Sequence, residues 1–450
     1  MSTATVAEET SASLEKLPFF LRGNYAPVET ETSSTSLSVD GAIPTALVGT
    51  YLRNGPNPKG TTPPHWFFGD GMLHGVALES GKALWYRNRW IRTKQLTDRA
   101  RVVQADGSRD LAAGPANTNI VRHAGRILAL AETTRPWEIS PGLETVGNFD
   151  FGGRLTTGMT AHPKICPQTG EMHFFDYNWF SPFLTYHCTD ASGALVRSVP
   201  IDVPGPTMMH DFAITSGHVL FMDLPVVFDF ERAMRGQMPY RWDDAYGARI
   251  GVMKRGDDSG AVRWFDVAPC YVFHPMNAFE TGDRITIDVA RYPELWREGT
   301  ARFDLAYLHR WEIDLGRGSV TESALDDRPI EFPRIDDRLC GSKHRYGYAV
   351  RNLSSRDSAA TSLLKYDLAG GVSVEHDFGS SRFPGEAVFA PDPSSGEEDA
   401  GWLLAYVYDA ATDRSDLVIL DARDFAGPSV AEIHLPCRIP FGFHGNWMPA

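Results

Sequence analysis

Residues 172–196, MHFFDYNWFSPFLTYHCTDASGALV, hold two runs of aromatic and β-branched side chains, parted by Ser181-Pro182 and closed by the turn-forming TDASG (189–193). Short apolar runs punctuated by Pro, Gly and Asp form strands joined by tight turns. The same unit of strand, polar turn and strand returns in SLLKYDLAGGVSVEHDFG (362–379), and further runs include RILALAE (126–132), HVLFMDLP (218–225), RITIDVARY (284–292), WLLAYVYDA (402–410) and DLVILDA (416–422). Turn signals such as ETGD (280–283) and DPSSGEEDAG (392–401) separate them. Many short strands without helical crossovers predict an all-β sandwich, barrel or propeller. No repeat of fixed period emerges, which excludes a regular array. A propeller with divergent blades still fits, at about 60 residues per blade for seven blades. Helix is expected only at VFDFERAMRGQMPY (227–240) and, more weakly, at RYPELWREG (291–299). Nothing resembles a linker, so residues 17–450 are expected to form one domain behind a disordered polar tail, 1–16.

Composition narrows the function. The 450 residues are 42% hydrophobic and include 25 Phe, 15 Tyr and 11 Trp, enough for a large core or an apolar cavity. A net charge of -14 argues against nucleic-acid binding and would repel an anionic membrane. No apolar run reaches transmembrane length, and the first 16 residues lack the basic start and apolar centre of a secretory signal. The five cysteines are scattered and contain no CxxC pair, as expected of reduced thiols in a cytoplasm.

The chain ends in PCRIPFGFHGNWMPA (436–450), whose Phe441, Phe443, His444 and Trp447 favour burial where most termini are loose. Three more histidines share an apolar or Pro-flanked setting: His162, His210 and His274. So do three glutamates, Glu132, Glu331 and Glu386, and a buried carboxylate is costly without a donor or a metal. Taken in order, the positions after the first are 48, 64, 57, 55 and 58 residues apart, starting from His162. Spacing near one blade would bring one such residue per blade to a common axis. Of the other histidines, His65 and His74 are assigned to packing in HWFFGDGMLHG (65–75), with GDG as a turn of positive φ. His173, His187, His218, His309 and His376 are expected at surface or strand-edge positions. Trp137, in RPWEIS (135–140), is a candidate for lining a tunnel.

Eleven stretches, in order, carry a resemblance: FLRGNYAPV (20–28), GTYLRNGPNP (49–58), HWFFGDGMLHG, YRNRWIRT (86–93), ANTNIV (116–121), TAHPK (160–164), MMHDFAIT (208–215), FHPMNAFE (273–280), EFPRI (331–335), GEAVF (385–389) and FGFHGNW (441–447). Together they resemble the carotenoid cleavage oxygenase family. The resemblance implies a seven-bladed β-propeller with Fe(2+) on its axis beneath a cap of loops and short helices. His162, His210, His274 and His444 match the iron ligands, Glu132, Glu331 and Glu386 the carboxylates behind them, with His162 the unpaired one, and Thr118 the threonine beside an open iron position. The implied reaction is dioxygenase cleavage of an apolar alkene by O2 to carbonyl products. Stilbene-cleaving relatives hold a phenolate with a Lys and a Tyr where this chain has Ala131 and Trp90, which favours an apocarotenoid-like polyene over a phenylpropenoid or stilbene. A catalytically silent binding propeller remains the reading from another class. Apolar residues in VVFDFERAMRGQMPY (226–240) allow transient membrane contact at a tunnel mouth.

Overall fold

The computed structural model describes residues 17–104, 108–297, 299, 304–351 and 361–450; the expected tail, 1–16, lies outside them. The opening stretch folds as read. Met172–Tyr177 pairs antiparallel with Leu184–Thr189, which pairs with Leu195–Ile201, while Lys164–Ile165 adds the inner strand. Both central strands are buried along their whole length, because neighbouring sheets cover both faces. Leu195–Ile201 alternates between buried and exposed positions, as the outermost strand of a blade should.

Six further units of this kind complete seven blades. Asn119–Asn148 and Ala213–Asp266 form four-stranded sheets on either side of the first. A seven-stranded sheet from Tyr271 to Asp377 is two blades sharing the long strand Ser319–Arg334, which pairs with Tyr307–Asp314 through its first part and with Tyr346–Arg351 through its end. The ring closes through both ends of the described chain. Val39–Gly41 joins the outer edge of the blade built from Arg382–His434, and Gly445–Pro449 pairs with Gly49–Pro56 in the last blade. The seven-bladed propeller expected from the sequence is therefore the architecture of the chain.

Helix is sparser than the residues suggest. In 227–240 the helix is only Phe230–Met234, with Asp229 accepting from Arg232 N at 3.0 Å. Gly236 at φ +67 and Pro239 stop it, and strands Val226–Phe228 and Tyr240–Trp242 flank it as a hairpin. No helix forms among the described residues of 291–299, where Arg291 and Tyr292 finish strand Arg284–Tyr292 ahead of Pro293. A helix not anticipated, Lys94–Asp98, starts at Thr93, whose hydroxyl accepts from Leu96 N. The GDG glycines are required for space, not for positive φ: a Cβ on Gly69 would fall 2.9 Å from Pro56 Cβ, and one on Gly71 2.7 Å from Pro115 O.

Candidate metal centre and substrate cavity

Four inner strands each bring one histidine to the axis. His162 and His210 lie in the segments entering Lys164–Ile165 and Ala213–Ile214, and His444 immediately precedes Gly445–Pro449. His274 is within Tyr271–Thr281, where the register shifts between Val272 and Pro275 and so re-aims its side chain. Backbone ties lock the segments together: His444 N donates to Thr118 O at 3.1 Å, Asn54 N to His444 O at 2.9 Å, and Thr160 Oγ1 to His210 O at 3.2 Å.

One nitrogen from each of the four buried rings falls within 4.8 Å of the others. His210 Nε2 and His274 Nε2 are 3.2 Å apart, and His162 Nε2 is buried without a hydrogen-bond partner. Imidazole edges converging without protein acceptors form a donor set for a cation. Four neutral nitrogens suit a borderline divalent ion such as Fe(2+).

On three rings Nδ1 faces a carboxylate, which fixes the tautomer and strengthens the ring as a donor. His274 Nδ1 donates to Glu331 Oε2 at 2.6 Å and His444 Nδ1 to Glu386 Oε1 at 3.0 Å, while His210 Nδ1 pairs with Glu132 Oε1. Each carboxylate is anchored a second time. Tyr177 donates to Glu132, Tyr292 to Glu331 at 2.8 Å, and Gly445 N to Glu386 at 2.8 Å, with Arg334 Nη1 3.3 Å from Glu386. Burial acts to raise the Glu386 pKa, but Arg334 and His444 outweigh it and hold the carboxyl at about 2. His162 lacks a glutamate; its Nδ1 is 3.7 Å from Asp211, which Lys164 neutralises at 2.8 Å. Burial and the neighbouring imidazoles push the His162 pKa well down, so this ring stays neutral.

A cavity of about 2290 Å³ opens above the cluster, lined by His210, His274, His444, the three glutamates, Thr118 and Ala131 among mostly apolar side chains. Thr118 donates its hydroxyl to Asn117 Oδ1 at 3.0 Å. Two expected lining residues are elsewhere. Trp90 is packed with Met72 and Leu96, and its indole N–H donates to Asn57 O at 2.9 Å. Trp137 is buried between the first blades with Leu52, Leu73 and Ile139. Both are core residues because their strands turn those positions away from the axis.

Other histidines are structural. His74 bonds Tyr86 OH at 3.0 Å, and His65 Nδ1 accepts from Phe67 N at 3.3 Å. Contrary to expectation, His173 and His187 are buried, held by Tyr186 at 2.6 Å and Ser198 at 2.8 Å. Glu171, His173 and Cys188 also gather within 4.8 Å, but Arg255 already pairs with Glu171 at 2.6 Å. The sequence reading missed Tyr177, Tyr292, Arg334 and the Asp211–Lys164 pair. Arg334, Asp211 and Lys164 had a local signal, by standing in the same motifs as Glu331, His210 and His162.

A propeller whose axial histidines meet beneath an apolar cavity is the scaffold of a metal-dependent enzyme acting on an apolar small molecule. Residues 25–449 match the model of the retinal pigment epithelial membrane protein family. The chain is 38% identical to the carotenoid cleavage oxygenase of Mycobacterium tuberculosis, with both chains covered completely. Among solved structures, the lignostilbene dioxygenase of Pseudomonas brassicacearum superposes with a TM-score of 0.88 at 29% identity, covering 97% of this chain and 99% of the other. Cobalt-substituted Synechocystis apocarotenoid oxygenase superposes at 0.84 with 29% identity, covering 94% and 97%. The chain belongs to the carotenoid cleavage oxygenase family.

Proposed function

We propose that the chain is a non-haem Fe(II)-dependent dioxygenase that cleaves a C=C bond of an apocarotenoid-like polyene with O2, releasing aldehyde or ketone products. His162, His210, His274 and His444 hold the iron, and Glu132, Glu331 and Glu386 orient three of the four rings. Bound iron supplies the redox chemistry that lets O2 react with an alkene. The protein holds the polyene in the mostly apolar cavity, with Thr118 in its lining. The observation that carries this reading is the cluster of imidazoles, three of them carboxylate-backed, opening into an apolar cavity.

Ala131 lines that cavity beside Glu132 and supplies no cation at that position, which favours the polyene. A phenylpropenoid or stilbene is the second reading, supported by the likeness to a lignostilbene dioxygenase. Exposed Phe180, Phe230 and Met234 edge the cavity, at a place suited to collecting substrate from a membrane surface. No helix among the described residues is long and apolar enough to cross a membrane. The five free thiols suit the reducing cytoplasm.

Oxygen uptake tests the assignment. Protein loaded with ferrous iron under anaerobic conditions and then given air should consume O2 with an apocarotenal and not with isoeugenol or a 4-hydroxystilbene. Uptake with the phenols alone would keep the iron site and overturn the substrate.

A further inference from the structure

The wall of the cavity holds a buried cation that the iron site does not use. Arg53, on strand Gly49–Pro56, is 5% exposed and lines the cavity on the side of Glu386 and His444. Its Nη2 donates to Pro440 O at 2.7 Å, whereas its Nε is buried without a partner. No carboxylate of the described residues lies within 4.0 Å of its guanidinium. Glu386 is committed elsewhere, to His444 Nδ1, Gly445 N and Arg334. The buried hydroxyl of Tyr406 also lacks a partner, and its ring centroid is 5.9 Å from the Arg53 guanidinium. The guanidinium packs against the backbone at Gly442, where a Cβ would meet Arg53 Cζ at 2.7 Å.

A guanidinium stays charged, and a buried charge is costly unless an opposite charge meets it. Glu386 acts on this charge only from beyond 4.0 Å, so no carboxylate of the described residues pairs with the guanidinium directly. Phe230 and Met234, both exposed, belong to the lining of the same cavity. The cavity thus combines exposed apolar side chains with one buried guanidinium that no carboxylate of the described residues pairs directly.

We infer that Arg53 and Tyr406 form a subsite for an anionic oxygen at one end of the ligand, and that this ligand is a polyene ending in a carboxylate. The inference rests on the polyene reading of the cavity. A phenolate offers the same chemistry, but a carboxylic acid is ionised at neutral pH and a phenol largely is not.

The test is equilibrium binding to iron-loaded protein without oxygen, followed by quenching of tryptophan fluorescence. All-trans-retinoic acid, its methyl ester and resveratrol are the probes. The acid should bind roughly ten- to a hundredfold more tightly than the ester, the range expected of a charge-assisted hydrogen bond. Arg53→Lys should keep part of that preference, and Tyr406→Phe should weaken the acid severalfold while leaving the ester unchanged. Equal affinity for acid and ester in the unsubstituted protein would overturn the subsite and leave the polyene reading standing. Binding of resveratrol with neither retinoid bound would overturn both.

Discussion

At the scale of single residues, the centre is built in layers. An imidazole converges on the axis, a carboxylate holds its Nδ1, and a tyrosine, backbone N–H or arginine holds the carboxylate. Removing a ring should therefore cost more than removing its support. His210→Ala is expected to lose both iron and activity, whereas Glu331→Gln should weaken iron affinity about 10- to 100-fold while retaining some turnover. Competition with a chelator measures both, and full iron retention by His210→Ala would refute the ligand assignment. Phe332 shows how tightly the layer is packed. Held at φ +52, it donates its N–H to Glu331 Oε2 at 2.6 Å while its ring stacks 5.4 Å from His274.

At the scale of elements, the inner strands carry the histidines and the hairpin at Val226–Trp242 contributes to the cavity lining. Its helix, Phe230–Met234, leaves Met234 87% exposed beside Phe230 and Phe180, whose rings are 5.6 Å apart. With a net charge of -14, attraction to an acidic surface cannot drive docking, so any membrane contact rests on these apolar groups. Phe230→Asp with Met234→Glu should markedly lower sedimentation with neutral phosphatidylcholine vesicles while leaving iron content intact. Unchanged sedimentation would exclude this element as the docking surface.

At the scale of the molecule, ring closure buries polar side chains far from the axis, and these make stability depend on pH. Burial above all pushes the His187 and His344 pKa values down to about 4 and that of His173 to about 3. An unfolded histidine titrates near 6.5, so on acidification the unfolded chain gains protons before the folded one. Stability should thus be complete above about pH 6.5 and fall as pH drops towards about 4, by about 1.4 kcal/mol per pH unit for each such histidine. Urea unfolding across that window should show a shallower decline for His187→Asn. An identical slope would mean that His187 is protonated in the fold.

The sequence by itself determined the strand-rich class, and its resemblance to a known family pointed to a ring of divergent blades and to the histidines and glutamates that the structure gathers at the axis. Strand runs and turn residues are local signals, and the blade-like spacing of His162, His210, His274, Glu331, Glu386 and His444 survives in one dimension. Pairing distances did not: Tyr177 is 45 residues from Glu132 and Tyr292 is 39 from Glu331, so nothing nearby in the chain marks them as partners. The direction of a side chain was equally hidden. Trp90 and Trp137 had plausible neighbours, but strand register turned both into the core, and His173 and His187 were buried because adjacent blades cover both faces of their sheet. Arg53 stood in a motif as one arginine among many. Only the closed propeller, which carries that guanidinium beside a cavity and spends Glu386 on His444, left it without a direct carboxylate partner.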